Sequence, residues 1–139
     1  YALDAETDGW DPTKSRFAPA GTQVGLAVFD PLAAYDADSR AQPYLAESFE
    51  PNETFTDWTV TLRPDITFHD GSPLTAAVLE TIFAAHKASP LTGPAVAALE
   101  SVEITGDLTA VFPMETPWAS FPASLTGQLG MVPSPGMIS

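Results

Sequence analysis

The chain contains no cysteine. That excludes disulfides, zinc–thiolate sites and a cysteine nucleophile, and it fits any redox compartment. Positive charge is scarce: five Lys and Arg stand against 18 Asp and Glu, for a formal net charge of −13. Phosphate backbones are held by clustered Lys and Arg, so nucleic acid is excluded as a partner. The same deficit disfavours docking on anionic lipid. No apolar run approaches the ~20 residues a membrane helix needs, so the sequence does not read as membrane-spanning. There is no Gly-x-Ser-x-Gly elbow and no phosphate loop, and no internal repeat. The start lacks a Met, a basic n-region and an apolar h-region. Tyr1-Ala2-Leu3 reads as the middle of a strand, and the run after Met131 stops without a closing element. The expectation is a piece of a longer chain.

What is present is enough for one domain. The 139 residues are 45% hydrophobic, which supports a core and argues against wholesale disorder. Fourteen prolines predict short elements and many turns. Val24, Leu26, Ala27, Val28 and Phe29 give Gly21 to Phe29 the look of a short helix that Pro31 stops. Tyr35 to Arg40 reads as a polar connection. Tyr44 to Phe49, the turn cluster Pro51-Asn52-Glu53-Thr54 and Asp57 to Arg63 predict a hairpin. In its second strand Trp58, Val60 and Leu62 face one way, and Thr59, Thr61 and Arg63 the other. Ile66-Thr67-Phe68 reads as a third short strand, closed by Asp70-Gly71. Val78, Leu79, Ile82, Phe83 and His86 form one stripe at helical spacing, predicting a helix from Thr75 to Lys87 with the Thr75 hydroxyl as N-cap. Pro94 opens a shorter helix through Leu99. Ser101 to Thr105 and Leu108 to Phe112 flank Gly106-Asp107 as a tight hairpin, and Trp118 to Leu125 is helical within the limit set by Pro122. The fold class is α/β (α+β), a small mixed or antiparallel sheet with two or three short helices.

Two runs carry more than local structure. Pro43-Tyr44-Leu45-Ala46-Glu47-Ser48-Phe49-Glu50 is followed by Trp58-Thr59-Val60-Thr61-Leu62-Arg63 and then by Phe68-His69-Asp70-Gly71-Ser72-Pro73-Leu74-Thr75-Ala76. Together they resemble the signature of the family 5 extracellular solute-binding proteins, the peptide, dipeptide, oligopeptide and nickel receptors of bacterial ABC importers. Phe29-Asp30-Pro31-Leu32, the second hairpin and Met131-Val132-Pro133 are similar to further elements of that family. Three departures stand out. Ala77, Val78 and Leu79 replace the usual acidic pair and Val, so the capping box is absent. The chain stops before the family's Gly-Thr-Gly-Pro stretch, and the second lobe is missing. The resemblance therefore implies an N-terminal part of lobe I, with residues 1–42 as first strand and helix and 43–139 as a small α/β subdomain.

The function so implied is capture of a peptide or similar small solute outside the cytoplasmic membrane, without chemistry and without a cofactor. The partners implied are the ligand and ABC permease subunits, with room for a lipid anchor on the full-length protein. A secreted hydrolase and a freestanding interaction domain are the alternatives; the lack of a nucleophile–base constellation argues against the first. In the family, the end of the first strand and the loop after Asp-Pro border the cleft. Carried over, Thr7, Asp8, Trp10, Arg16 and Phe17 are the candidate ligand-binding residues. Trp10 and Phe17 would cover an apolar group, Arg16 would meet a carboxylate, and extended backbone there can pair with a peptide. His69 and Asp70 invite a metal or acid–base reading, but neighbours on a strand point oppositely and chelate poorly. They read as a turn, with His69 bonding locally, and no metal site is expected. Glu47 and Glu50 read as solvated, His86 as half-buried packing, and Trp58 as core against the helix face that carries Phe83. Asn52-Glu53-Thr54 matches a glycosylation sequon by chance.

Overall fold

The computed structural model describes residues 8–138. The expected strand at Tyr1–Ala5 lies outside them. Helix α1 (Pro19–Val28) starts two residues before the expected Gly21, with Pro in its first turn, and ends before Pro31 as expected. Around the polar connection the chain forms a hairpin absent from the sequence reading, β1 (Ala33–Tyr35) with β2 (Ala41–Pro43). Asp36 makes it: its Oδ1 accepts the Asp38 and Arg40 amides, both at 2.9 Å. Those bonds, that of Arg40 foremost, hold the Asp36 carboxyl below the usual range.

The main sheet is antiparallel, with strand order β3 (Ala46–Pro51), β4 (Asp57–Leu62), β6 (Thr109–Pro113), β5 (Glu103–Gly106). Both predicted hairpins are therefore present, and they share β4 and β6 as the sheet's centre. The register pairs Phe49 with Val60 and Val60 with Ala110. Period-2 alternation decides which face is covered: Trp58, Val60 and Leu62 are buried, and Thr59 and Thr61 are not. Asn52 closes the β3–β4 turn, its Oδ1 accepting the Thr56 and Asp57 amides and its Nδ2 reaching Thr56 Oγ1 and Asp57 Oδ2. The sequon residue is a turn residue.

Helix α2 (Ala76–Ala88) lays its stripe on the sheet. Thr75 sits at the N-cap position in extended backbone, yet its side chain makes no cap hydrogen bond. The 66–68 segment is not a sheet strand. It forms one bridge, Thr67 to Pro73, around the Asp70-Gly71 turn. The helix expected from Pro94 to Leu99 is a single 3₁₀ turn, Gly93–Val96, and the one expected from Trp118 shrinks to α3 (Phe121–Ser124). Trp58 does not meet Phe83 directly. A chain of rings joins them: Phe83 to Phe112 at 5.0 Å, Phe112 to Phe121 at 5.3 Å, Phe121 to Trp58 at 5.9 Å. The segment after α1 is stitched to residues 130–132, since Leu32 N donates to Gly130 O and Val132 N to Asp30 O.

Candidate functional site

Four of the five candidate residues lie on one short loop before α1; Thr7 lies outside the described residues. Asp8 Oδ1 accepts the Arg16 amide at 2.7 Å, which folds the loop back on itself. Trp10 and Phe17 then meet edge to face, with ring centroids 6.0 Å apart. Trp10 remains 43% exposed, enough ring to receive an apolar group. Arg16, next to Phe17 in the chain, is exposed. The ring pair offers an aromatic ledge suited to an apolar side chain.

Beneath the ledge the loop is firmly seated. Asp11 Oδ1 accepts from Thr13 N at 2.8 Å and Thr13 Oγ1 at 2.7 Å. Gln128 Nε2 donates to the carbonyls of Pro12 and Ser15, at 2.8 and 2.9 Å, tying the loop to the far end of the chain. Thr13 and Ser15 are buried. Gly25 of α1 makes room for Phe17, because a Cβ there would stand 2.9 Å from its ring.

His69 and Asp70 occupy the expected turn. Asp70 Oδ1 accepts from the Ser72 amide and hydroxyl. These bonds, the hydroxyl's first, hold its carboxyl below the usual range. The His69 ring is exposed and takes no part in them. Among the described residues no group of three or more His, Asp and Glu converges as a metal site. Both residues border a groove of about 330 Å³ between the end of α1, the 66–74 turn and residues 132–137. Asp8, Trp10, Arg16 and Phe17 do not line it. Nothing in the sequence pointed to this groove, because its walls come from four separated segments, Leu45 among them.

His86 departs most from expectation. It is fully buried, not half-buried, with Nδ1 2.9 Å from Thr92 Oγ1. Burial depresses its pKa to about 4, and the charge of Asp11 opposes that shift.

A model of the bacterial extracellular solute-binding proteins, family 5 (middle region), matches residues 40–136. The chain belongs to that family. Its relatives include the periplasmic oligopeptide-binding protein OppA of Haemophilus influenzae, 35% identical over 72 residues, which are 52% of this chain and 13% of OppA. The nickel-binding periplasmic protein of Escherichia coli is 43% identical over 49 residues, 35% of this chain and 9% of that protein. Among solved structures, H. influenzae OppA in complex with RPPGFSPFR superposes with a TM-score of 0.77 at 25% identity, over 92% of this chain and 29% of that one. Campylobacter jejuni NikZ in complex with Ni(L-His) gives 0.79 at 24% identity, over 94% and 26%. The family 5 match thus bears out both the resemblance and the antiparallel α/β architecture. This chain spans a minor fraction of each of these proteins' length.

Proposed function

We propose that the chain is part of the first lobe of a substrate-binding component of an ABC importer, which captures peptides or similar small solutes outside the cytoplasmic membrane and hands them to permease subunits. The observation that carries this reading is family membership over residues 40–136. Periplasmic relatives support the location. Within this reading residues 1–42 are the first strand and helix and 43–139 the small α/β subdomain. Thr7, Asp8, Trp10, Arg16 and Phe17 are the contribution of this lobe to the ligand cleft. The Trp10–Phe17 ring contact, with Trp10 43% exposed, supports that assignment. The role is binding, without catalysis by His69 or Asp70. Capture would come from closure of two lobes on the ligand.

The test is a thermal-shift screen of the longer receptor against short peptides, sugars and nickel, followed by calorimetry. A stabilising peptide whose affinity falls at least tenfold in Arg16→Ala or Trp10→Ala supports the reading. Binding of a ligand with both variants unaffected removes these residues from the cleft.

A further inference from the structure

The groove of about 330 Å³ at the end of α1 takes no part in the ledge, and its chemistry is different. Its walls are mostly apolar: Phe29, Leu45, Ile66, Phe68, Leu74 and Val132 line it. The apolar character continues to the surface, where Val28 is 55% and Met137 46% exposed. Two carboxylates, Asp30 and Asp70, stand among the described lining residues, and no Lys or Arg does. Asp70 is fixed there, since Ser72 donates to it from its own turn and Ser134 from the opposite wall. Continuous exposed apolar surface on a folded chain marks a place where something packs.

Charge sorts the candidate occupants. A segment that brings Lys or Arg to the two carboxylates is attracted, and one that brings Asp or Glu is repelled. Residues 1–7 of this chain carry Asp4 and Glu6 and no basic residue. A second copy brings its own net charge of −13. A captured solute belongs at the ledge, and Asp8, Trp10, Arg16 and Phe17 do not line the groove. There remains the rest of a receptor. The stretch that superposes is 26% of one solved relative and 29% of another, so most of such a polypeptide lies outside it. Parts of one polypeptide that pack on each other bury mixed apolar and polar surface, which suits apolar walls carrying two carboxylates.

We propose that this groove seats a segment of the longer receptor outside these 139 residues, an apolar stretch with a Lys or Arg that meets Asp30 or Asp70. The assignment rests on the reading of the chain as part of a receptor's first lobe. The groove is then a joint within the receptor. The segment seated in it touches the end of α1, the 66–74 turn and residues 132–137 at once, and so fixes these three pieces relative to one another.

Thiol accessibility tests it. The chain has no cysteine, so an introduced thiol reports its own position. Val28→Cys and Met137→Cys are made separately in the 139-residue chain and in the longer receptor, with any cysteine outside these residues replaced by Ser, and modification by a neutral maleimide is timed. In the short chain both thiols should react within about threefold of the urea-unfolded rate; in the receptor both should react at least tenfold more slowly than in the short chain. Adding Asp30→Lys to the receptor's Val28→Cys should raise that rate at least threefold, because the occupant's cation then meets a like charge. Receptor thiols that react as fast as those of the short chain overturn the proposal. So does slowing already present in the short chain, which makes residues 1–7 or a second copy the occupant, slowing that grows with receptor concentration, or slowing that needs added peptide. An unchanged rate in Asp30→Lys overturns the basic occupant. If the short chain does not melt cooperatively, the receptor's rate against its own urea-unfolded rate decides, at the same tenfold. The expected result needs no ligand. A receptor that protects both thiols but binds no solute refutes the functional reading alone, and one that binds peptide with both thiols open refutes this inference alone.

Discussion

At the scale of single residues, burial and close approach decide which positions tolerate change. Gly130 is the strictest. A Cβ there would fall 1.7 Å from the Leu125 carbonyl oxygen, a backbone atom that cannot turn aside. Gly130→Ala is expected to cost about 3 kcal/mol or more, read from urea melts, because the stitch between residues 30–33 and 130–132 must open. His86 carries a pH signature. Its folded pKa of about 4 lies below the 6.5 of a free imidazole, so on acidification the unfolded chain takes up the proton first. Its contribution to stability is complete above about pH 6.5 and is lost as pH falls toward 4. Over that span the loss is about 3 kcal/mol. Urea melts at pH 7 and pH 4.5 check it against His86→Phe, in which most of this pH-dependent difference should vanish while the carboxylates' contribution remains. By contrast, His69→Ala and Asp70→Ala should leave ligand binding within twofold, since the exposed ring takes no part in the turn and Asp70 only closes it. A tenfold loss of affinity with an unchanged melting point would place them at the ligand.

At the scale of elements, alternation and stripes were legible and the irregular pieces were not. Trp58, Val60 and Leu62 announced β4 because a strand covered on one face needs period-2 patterning, and the stripe from Val78 to His86 announced α2 in the same way. The Pro-rich segments read poorly. Pro94 and Pro122 suit a first helical turn but do not oblige a second, and packing cut both helices to one turn. Ile66-Thr67-Phe68 has strand-like composition but no neighbouring strand with free backbone groups, so it closes on Pro73. The ledge was legible only through family resemblance. What seats it could not be read, because Gln128 and Thr92 come from at least 113 and 79 residues away. The cap of α2 yields a prediction of its own. Ser, Thr or Asp replaced by Ala at an N-cap ordinarily costs about 1 kcal/mol, but Thr75 has no cap bond to lose. Thr75→Ala should therefore cost less than about 0.5 kcal/mol in a urea melt. A loss above about 1 kcal/mol would mean the hydroxyl caps the helix in solution.

At the scale of the molecule, charge and exposed apolar surface act together. The sheet ends at β3 and β5, and these edges carry Glu47, Glu50 and Glu103 in exposed positions. Charged edges discourage strand addition, and a net charge of −13 adds general repulsion between copies. Apolar surface is nevertheless left open: Leu26 and Val28 on α1 and Met137 near the groove are 41%, 55% and 46% exposed. Under the proposed function, one lobe supplies roughly half of a ligand's enclosure, and working pockets bury most of a small ligand's area. The cost of immobilising the ligand is not halved with the contacts. Losing even ~4 kcal/mol lowers affinity about a thousandfold. The 139-residue chain is therefore expected to bind its peptide at least a thousandfold more weakly than the two-lobed receptor, although α2 and the β4–β6 pair give it a core with which to fold. Calorimetry of both proteins with one peptide measures this, with a cooperative thermal melt to show that the short chain is folded. Equal affinity would place the whole site within these residues, and closure between two lobes would then have no part in capture.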